Sequence, residues 1–234
     1  MFPIRDDQPR YSTPVVNYFI IGLNTLVFLF ELSVQVQGPR AFEAFVFQFG
    51  VVPEHFARAL AGSTYYPIPA TLLTILTSMF LHGGWLHIIS NMWFLWIFGD
   101  NIEDYLGHFA YLLFYLICGV AAAVTQIALN PGSTIPTVGA SGAIAGVMGA
   151  YVLLYPRARV LTLVVLIVFF TFWWIPAWVF LGYWFLIQFA EASLTAHQAT
   201  AGIAFGAHVG GFVTGLILIK LFPKRTRSPR YGSW

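Results

Sequence analysis

From Phe109 to Leu129, from Gly139 to Tyr155 and from Val160 to Ala190 the chain carries no Asp, Glu, Lys or Arg. Apolar runs of about 20 residues match the thickness of a bilayer's hydrocarbon core. Inside that core only elements that satisfy their own backbone hydrogen bonds are stable. Charged residues make up 9% of the 234 residues and hydrophobic ones 59%, whereas soluble domains run at about a quarter charged. These features predict an all-α membrane protein. A net charge of +2, dispersed along the chain, argues against a nucleic-acid surface. Cys118 is the only cysteine, so no intrachain disulfide can form.

Six apolar runs predict six transmembrane helices: Val15 to Leu32, Thr71 to Phe98, Phe109 to Leu129, Gly139 to Tyr155, part of Val160 to Ala190, and Gly202 to Leu221. The fifth run is too long for one crossing and too short for two. Residues 160–172 are therefore expected at the interface or re-entrant, with Pro176 kinking or starting the span. The first run lacks a small-residue cleavage site and reads as a retained anchor. The chain thus divides into an N-terminal cytoplasmic segment (1–14), a six-span domain (15–221) and a basic cytoplasmic tail (222–234). An outer loop at 33–70 contains Phe42, Phe45, Val46 and Phe49 at helical spacing, which predicts a helix lying on the outer leaflet. With the N-terminus inside, only Arg40 and Arg58 of the eleven Lys and Arg residues fall outside. The positive-inside rule then places both termini in the cytoplasm, and the expected location is a bacterial inner membrane.

Against this background a few polar side chains share one depth. At 1.5 Å per residue, Ser141 lies about 21 Å above Tyr155, His208 about 18 Å above Lys220 and His87 about 20 Å above Asp100. In a core of about 30 Å, that level is roughly 10 Å below the outer surface. Ionisable side chains at such depth usually face a water-filled cavity and mark function. Serine and histidine are the nucleophile and base of a serine hydrolase. A serine opening a helix is ordinarily an N-cap, but pairing with His208 at equal depth favours catalysis.

Asn91 follows His87 by four residues, so both can present donors to one point, while His82 is expected near the outer mouth of the site. Small residues let helices approach closely in lipid. Gly142, Gly146 and Gly149 supply them on the fourth span, and Gly206, Gly211 and Gly215 on the sixth, with a second stripe from Gly202 through Gly206 to Gly210. No carboxylate is evident in a span core, which favours a dyad over a triad. No His-Glu-x-x-His or pair of membrane aspartates occurs, so neither a metal nor an aspartyl mechanism is expected, and no cofactor is called for. Trp173, Trp174, Trp178 and Trp184 read as lipid-facing or interfacial aromatics. A transporter lining its path with His82, His87, Asn91 and His208, or a haem protein using His87 and His208, remains an alternative. Neither accounts for Gly139-Ala140-Ser141-Gly142.

Those four residues, the stretch His82 through His87 to Asn91, and Ala207-His208-Val209-Gly210-Gly211 through Gly215 together resemble the rhomboid family of intramembrane serine proteases, over roughly residues 70 to 220. The resemblance implies a rhomboid-like bundle with a short, partly buried fourth helix. It implies Ser141 as nucleophile, His208 as base, and an oxyanion hole of His87, Asn91 and the Ser141 amide. It further implies single-span or polytopic membrane proteins as substrates, cut near the outer end of a transmembrane segment, with span five as a lateral gate. Two positions depart from some members. Ala145 stands where they carry an aromatic that stacks on the histidine, and Leu73-Thr74-Ile75-Leu76 stands where they carry a Trp-Arg pair.

Overall fold

A computed structural model of the protein describes residues 1–166, 169–195 and 205–225. His197, Gly202, Arg227 and Arg230 lie outside the described residues. The helices are α1 (Val15–Gln35), α2 (Pro39–Phe49), α3 (Pro53–Leu60), α4 (Ile68–Ser78), α5 (Trp85–Leu106), α6 (His108–Leu129), α7 (Ser141–Leu154), α8 (Ala177–Thr195) and α9 (Phe205–Leu218). Among the described residues, α1 and α6 are long and apolar enough to cross a membrane by length and composition alone. The helix expected within residues 33–70 appears as α2, which starts at Pro39 directly after Gly38, where a proline has no amide to leave unpaired.

At the centre stands α7, whose residues 142–151 are all buried. The partial burial that the resemblance implied understates its position. A methyl group on Gly211 would overlap the Gly142 carbonyl, and one on Gly215 the Gly146 carbonyl. Glycine at these places lets α7 and α9 pack backbone against backbone, the arrangement that van der Waals contact favours in lipid. Large side chains from α5 and α6, including Leu95, Phe98, Tyr111 and Tyr115, are fully buried and pack with Tyr151 of α7.

Two expectations are corrected. The second span is not one helix, because the chain leaves α4 at Ser78 and restarts at Trp85 after Gly83-Gly84, a pair that weakens helix continuation. The long helix of that run is α5, and α4 is a separate short helix before it. The protein is also not all-α. Its described residues include a sheet in the order β1 (Phe2–Asp6), β2 (Arg159–Leu166), β3 (Phe169–Pro176), antiparallel throughout. The register pairs Phe2 with Leu163, Asp6 with Val160 and Arg159 with Pro176. Val, Thr, Phe and Trp crowd residues 160–174, and these side chains suit a pleated surface better than a helix. The first half of the long fifth run is therefore a hairpin, and its helix is α8 alone.

Finally, the first 14 residues do not trail from the bundle. Trp93 Nε1 donates to the Pro3 carbonyl at 2.7 Å, Ser12 Oγ lies 2.6 Å from Asp104 Oδ1, and Arg10 reaches Asp100 at 3.5 Å. The buried Glu103 carboxylate accepts the amides of Val16 and Asn17 at 2.9 and 2.7 Å. Those are first-turn amides of α1, which no intrahelical carbonyl can satisfy, and a carboxylate there also meets the positive end of the helix dipole.

Candidate active site

The loop entering α7 is pinned on both sides. Val51 and Thr137 form an antiparallel bridge, and the Gly139 amide donates to the Ser78 carbonyl at 2.8 Å. Gly139 adopts φ +129°, a conformation that L side chains rarely take, and a Cβ there would lie 2.7 Å from His87 Nε2. Ala140 occupies the N-cap and Ser141 is the first helical residue, with no side-chain cap bond. The ordinary role of a helix-opening serine is thus unfilled, and the hydroxyl is available for other work.

It meets His208. Ser141 Oγ lies 2.7 Å from His208 Nε2, a distance made possible by the glycine contacts between α7 and α9. On the far side of the ring, His208 Nδ1 lies 2.5 Å from Gln188 Oε1 of α8. Trp184, one turn earlier on α8, sets its ring 5.9 Å from the imidazole. Ala145 is fully buried on α7, so the aromatic beside the histidine comes from a different helix than in the members with an aromatic at that position. Trp184 is therefore not simply a lipid-facing residue.

His87 sits in the first turn of α5. Its Nδ1 accepts the Gly83 amide at 3.3 Å, which leaves the ring proton on Nε2, the nitrogen turned toward Gly139. One turn on, Asn91 is buried and its Nδ2 has no hydrogen-bond partner among the described residues. Both residues line a cavity of about 500 Å³ together with Ser141, His208, Gly139 and Trp184. Among the described residues, no Asp, Glu, Lys or Arg lines it. The cavity therefore offers donors and a base without a fixed net charge, an arrangement suited to an anion that forms only during reaction.

His82 is not at an open mouth. It is 1% exposed and packs edge-on behind His87, with ring centroids 5.1 Å apart. Its backbone amide donates to the buried carboxylate of Glu31. Glu31 and Gln188 escaped the motif reading. Each had a signal: Glu31 is the one charge in the first apolar run, and Gln188 is the sole carboxamide between Val160 and Ala190.

The chain is similar to known proteins of one family. The Rhomboid domain family matches residues 69–225. "Rhomboid-like protein 11, chloroplastic" of Arabidopsis thaliana is 29% identical over 176 residues, covering 68% of this chain and 55% of that protein. "Rhomboid protease GluP" of Bacillus subtilis (strain 168) is 37% identical over 76 residues, 32% of this chain and 14% of its own. "Rhomboid protein 1, mitochondrial" of Saccharomyces cerevisiae is 27% identical over 151 residues, 62% of this chain and 40% of its own. The chain spans about half or less of the length of these relatives. They come from plastid, mitochondrial and bacterial settings, which supports an integral membrane protein but not a bacterial inner membrane in particular. With the family match covering most of the chain, the protein belongs to the rhomboid family, which includes intramembrane serine proteases.

Proposed function

We propose that the protein is an active intramembrane serine endopeptidase working through a Ser141–His208 dyad. The observation that carries this reading is the 2.7 Å approach of Ser141 Oγ to His208 Nε2 inside a cavity. His208 takes the hydroxyl proton as Ser141 attacks the scissile carbonyl. The developing oxyanion is met by His87 Nε2, Asn91 Nδ2 and the Ser141 amide, one of the N-terminal amides of α7 without an intrahelical acceptor. The intermediate collapses as the C–N bond breaks and His208 gives its proton to the leaving amine; water entering from the outer side then attacks the acyl-enzyme, His208 taking its proton and returning it to Ser141 Oγ as the acid product leaves. Both ring nitrogens of His208 are engaged, to Ser141 and Gln188, which leaves no ring nitrogen open for the haem alternative.

In this reading α1, α5, α6, α7, α8 and α9 are the six spans of a domain at 15–221, and both termini lie on the positively charged, cytoplasmic side. The substrates are transmembrane segments of membrane proteins, cut near their outer end, and α8 lines their route of entry. The family also contains inactive members, so activity is the property to measure. Ser141→Ala and His208→Ala should each abolish cleavage of a single-span substrate and labelling by a serine-directed phosphonate, while insertion and thermal stability persist. Retained cleavage in either variant overturns the dyad. In a Cys118→Ala background, Ser133→Cys should react with an impermeant maleimide added outside; reaction only from the cytoplasmic side overturns the orientation.

A further inference from the structure

His208 needs one particular tautomer to act as a base, and the dyad itself does not select it. The proton must sit on Nδ1 so that Nε2 presents a lone pair to Ser141. Gln188 Oε1, 2.5 Å from Nδ1, is an amide oxygen and can only accept a hydrogen bond. It therefore requires a proton on Nδ1. The flipped amide would present NH₂ to that atom and force the proton onto Nε2, so only the orientation in the structure is compatible with catalysis.

We infer that Gln188 is the positioning residue of the catalytic histidine, and that with Trp184 it places control of the base on helix α8. The inference rests on the proposed dyad. Trp184 and Gln188 are four residues apart and so share a face of α8. The indole lies 5.9 Å from the imidazole on one side while the carboxamide holds Nδ1. Phe185 stacks on Phe212 of α9 at 4.7 Å, which docks α8 against the turn following His208. The place of the missing aromatic at position 145 and that of the missing carboxylate are thus both filled from α8.

A carboxamide suits this location for a physical reason. A carboxylate on Nδ1 would bury a charge whenever the histidine is neutral, and a charge in a membrane interior is expensive. The amide orients the ring at no such cost and strengthens its bond when the ring becomes an imidazolium. Because both contacts come from the helix whose Trp184 also lines the cavity, a displacement of α8 that widens the cavity withdraws them together. The base then loses its tautomer control until α8 returns.

The test compares Gln188→Leu and Gln188→Glu in the full chain, reconstituted with a single-span substrate, by kcat, KM and pH–rate profile. His87 is the other titratable group lining the cavity, and Glu191, three residues beyond Gln188, is the nearest charge along α8. Both are unchanged in each variant. Gln188→Leu should lower kcat by about 10- to 100-fold with KM changed less than about twofold, short of the roughly 10⁴-fold lost when a triad loses its carboxylate orienter. Gln188→Glu should retain more activity than Gln188→Leu and move the acid limb of the profile to higher pH, because a carboxylate favours the protonated ring. Profiles and kcat like wild type in both variants overturn the inference, as does a Gln188→Leu defect confined to KM or stability. If Ser141→Ala still cleaves, the dyad has failed; if it is inactive and Gln188→Leu is not impaired, only the positioning role has failed.

Discussion

Both carboxylate oxygens of Glu31 lie 3.1 Å from the backbone nitrogen of His82, across 51 residues of sequence. The contact ties the end of α1 to the short connection that carries Gly83 and leads into His87. Since the Gly83 amide in turn sets the His87 tautomer, the first helix reaches the proposed oxyanion site through two hydrogen bonds. Glu31→Leu should leave a buried amide unsatisfied, a loss of about 1–3 kcal/mol of stability, and should lower kcat as His87 loosens. Glu31→Gln keeps an acceptor oxygen and should retain most of both. Thermal unfolding alongside turnover checks this, and equal behaviour of the two variants would refute it.

Asn91 Nδ2 has no hydrogen-bond partner among the described residues, and His87 lines the same cavity. Loss of one oxyanion donor lowers kcat by about 10²- to 10³-fold in well-studied hydrolases, so Asn91→Ala and His87→Ala should each fall in that range with smaller changes in KM. Single-turnover kinetics distinguishes this from weakened binding. Variants with normal turnover but poor folding would identify these residues as helix glue instead.

Backbone contact between α7 and α9 makes a sharper prediction than the dyad does. Gly215→Ala would drive a methyl into the Gly146 carbonyl, almost two turns from His208 and outside the cavity lining. Overpacking of this kind costs about 1–3 kcal/mol. The variant should unfold at lower temperature and lose phosphonate labelling as Ser141 and His208 separate. Gly22→Ala, where an added Cβ meets nothing within 4 Å, should be neutral on both measures.

Asp6, in the strand outside the spans, has its carboxyl pushed up to about 7, chiefly by burial, with the neighbouring Asp100 and Asp7 charges acting in the same direction and the Tyr151 hydrogen bond opposing. A carboxyl raised above its unfolded value favours the folded state while protonated. Its contribution is complete below pH 3.8 and is lost as pH rises through about 7. The wild-type unfolding temperature should therefore fall as pH rises from 3.8 to about 7, the interval in which only the folded state holds this proton, and level off above it. Asp6→Asn, a neutral isostere, should flatten that dependence, and an unchanged slope in the variant would rule the assignment out.

Much of the site was legible in the linear chain because two independent constraints converge on it. Apolar run length sets depth, and depth put Ser141, His208 and His87 at one level before any contact was known. Glycine spacing then identified the helix faces that could bring the first two together. What the linear chain could not reveal is what depends on partners distant in sequence. An apolar run rich in Val, Thr and Trp is compatible with either a helix or a strand, and pairing with Phe2–Asp6 accompanies the strand form of 159–166. Gln188 is an ordinary amide until α8 packs against α9 and turns it toward His208. His82 is a candidate mouth residue until Glu31 draws its backbone inward. Local composition states which groups water or lipid will tolerate, but hydrogen-bond partners in a low-dielectric interior are assigned only when the helices close on one another.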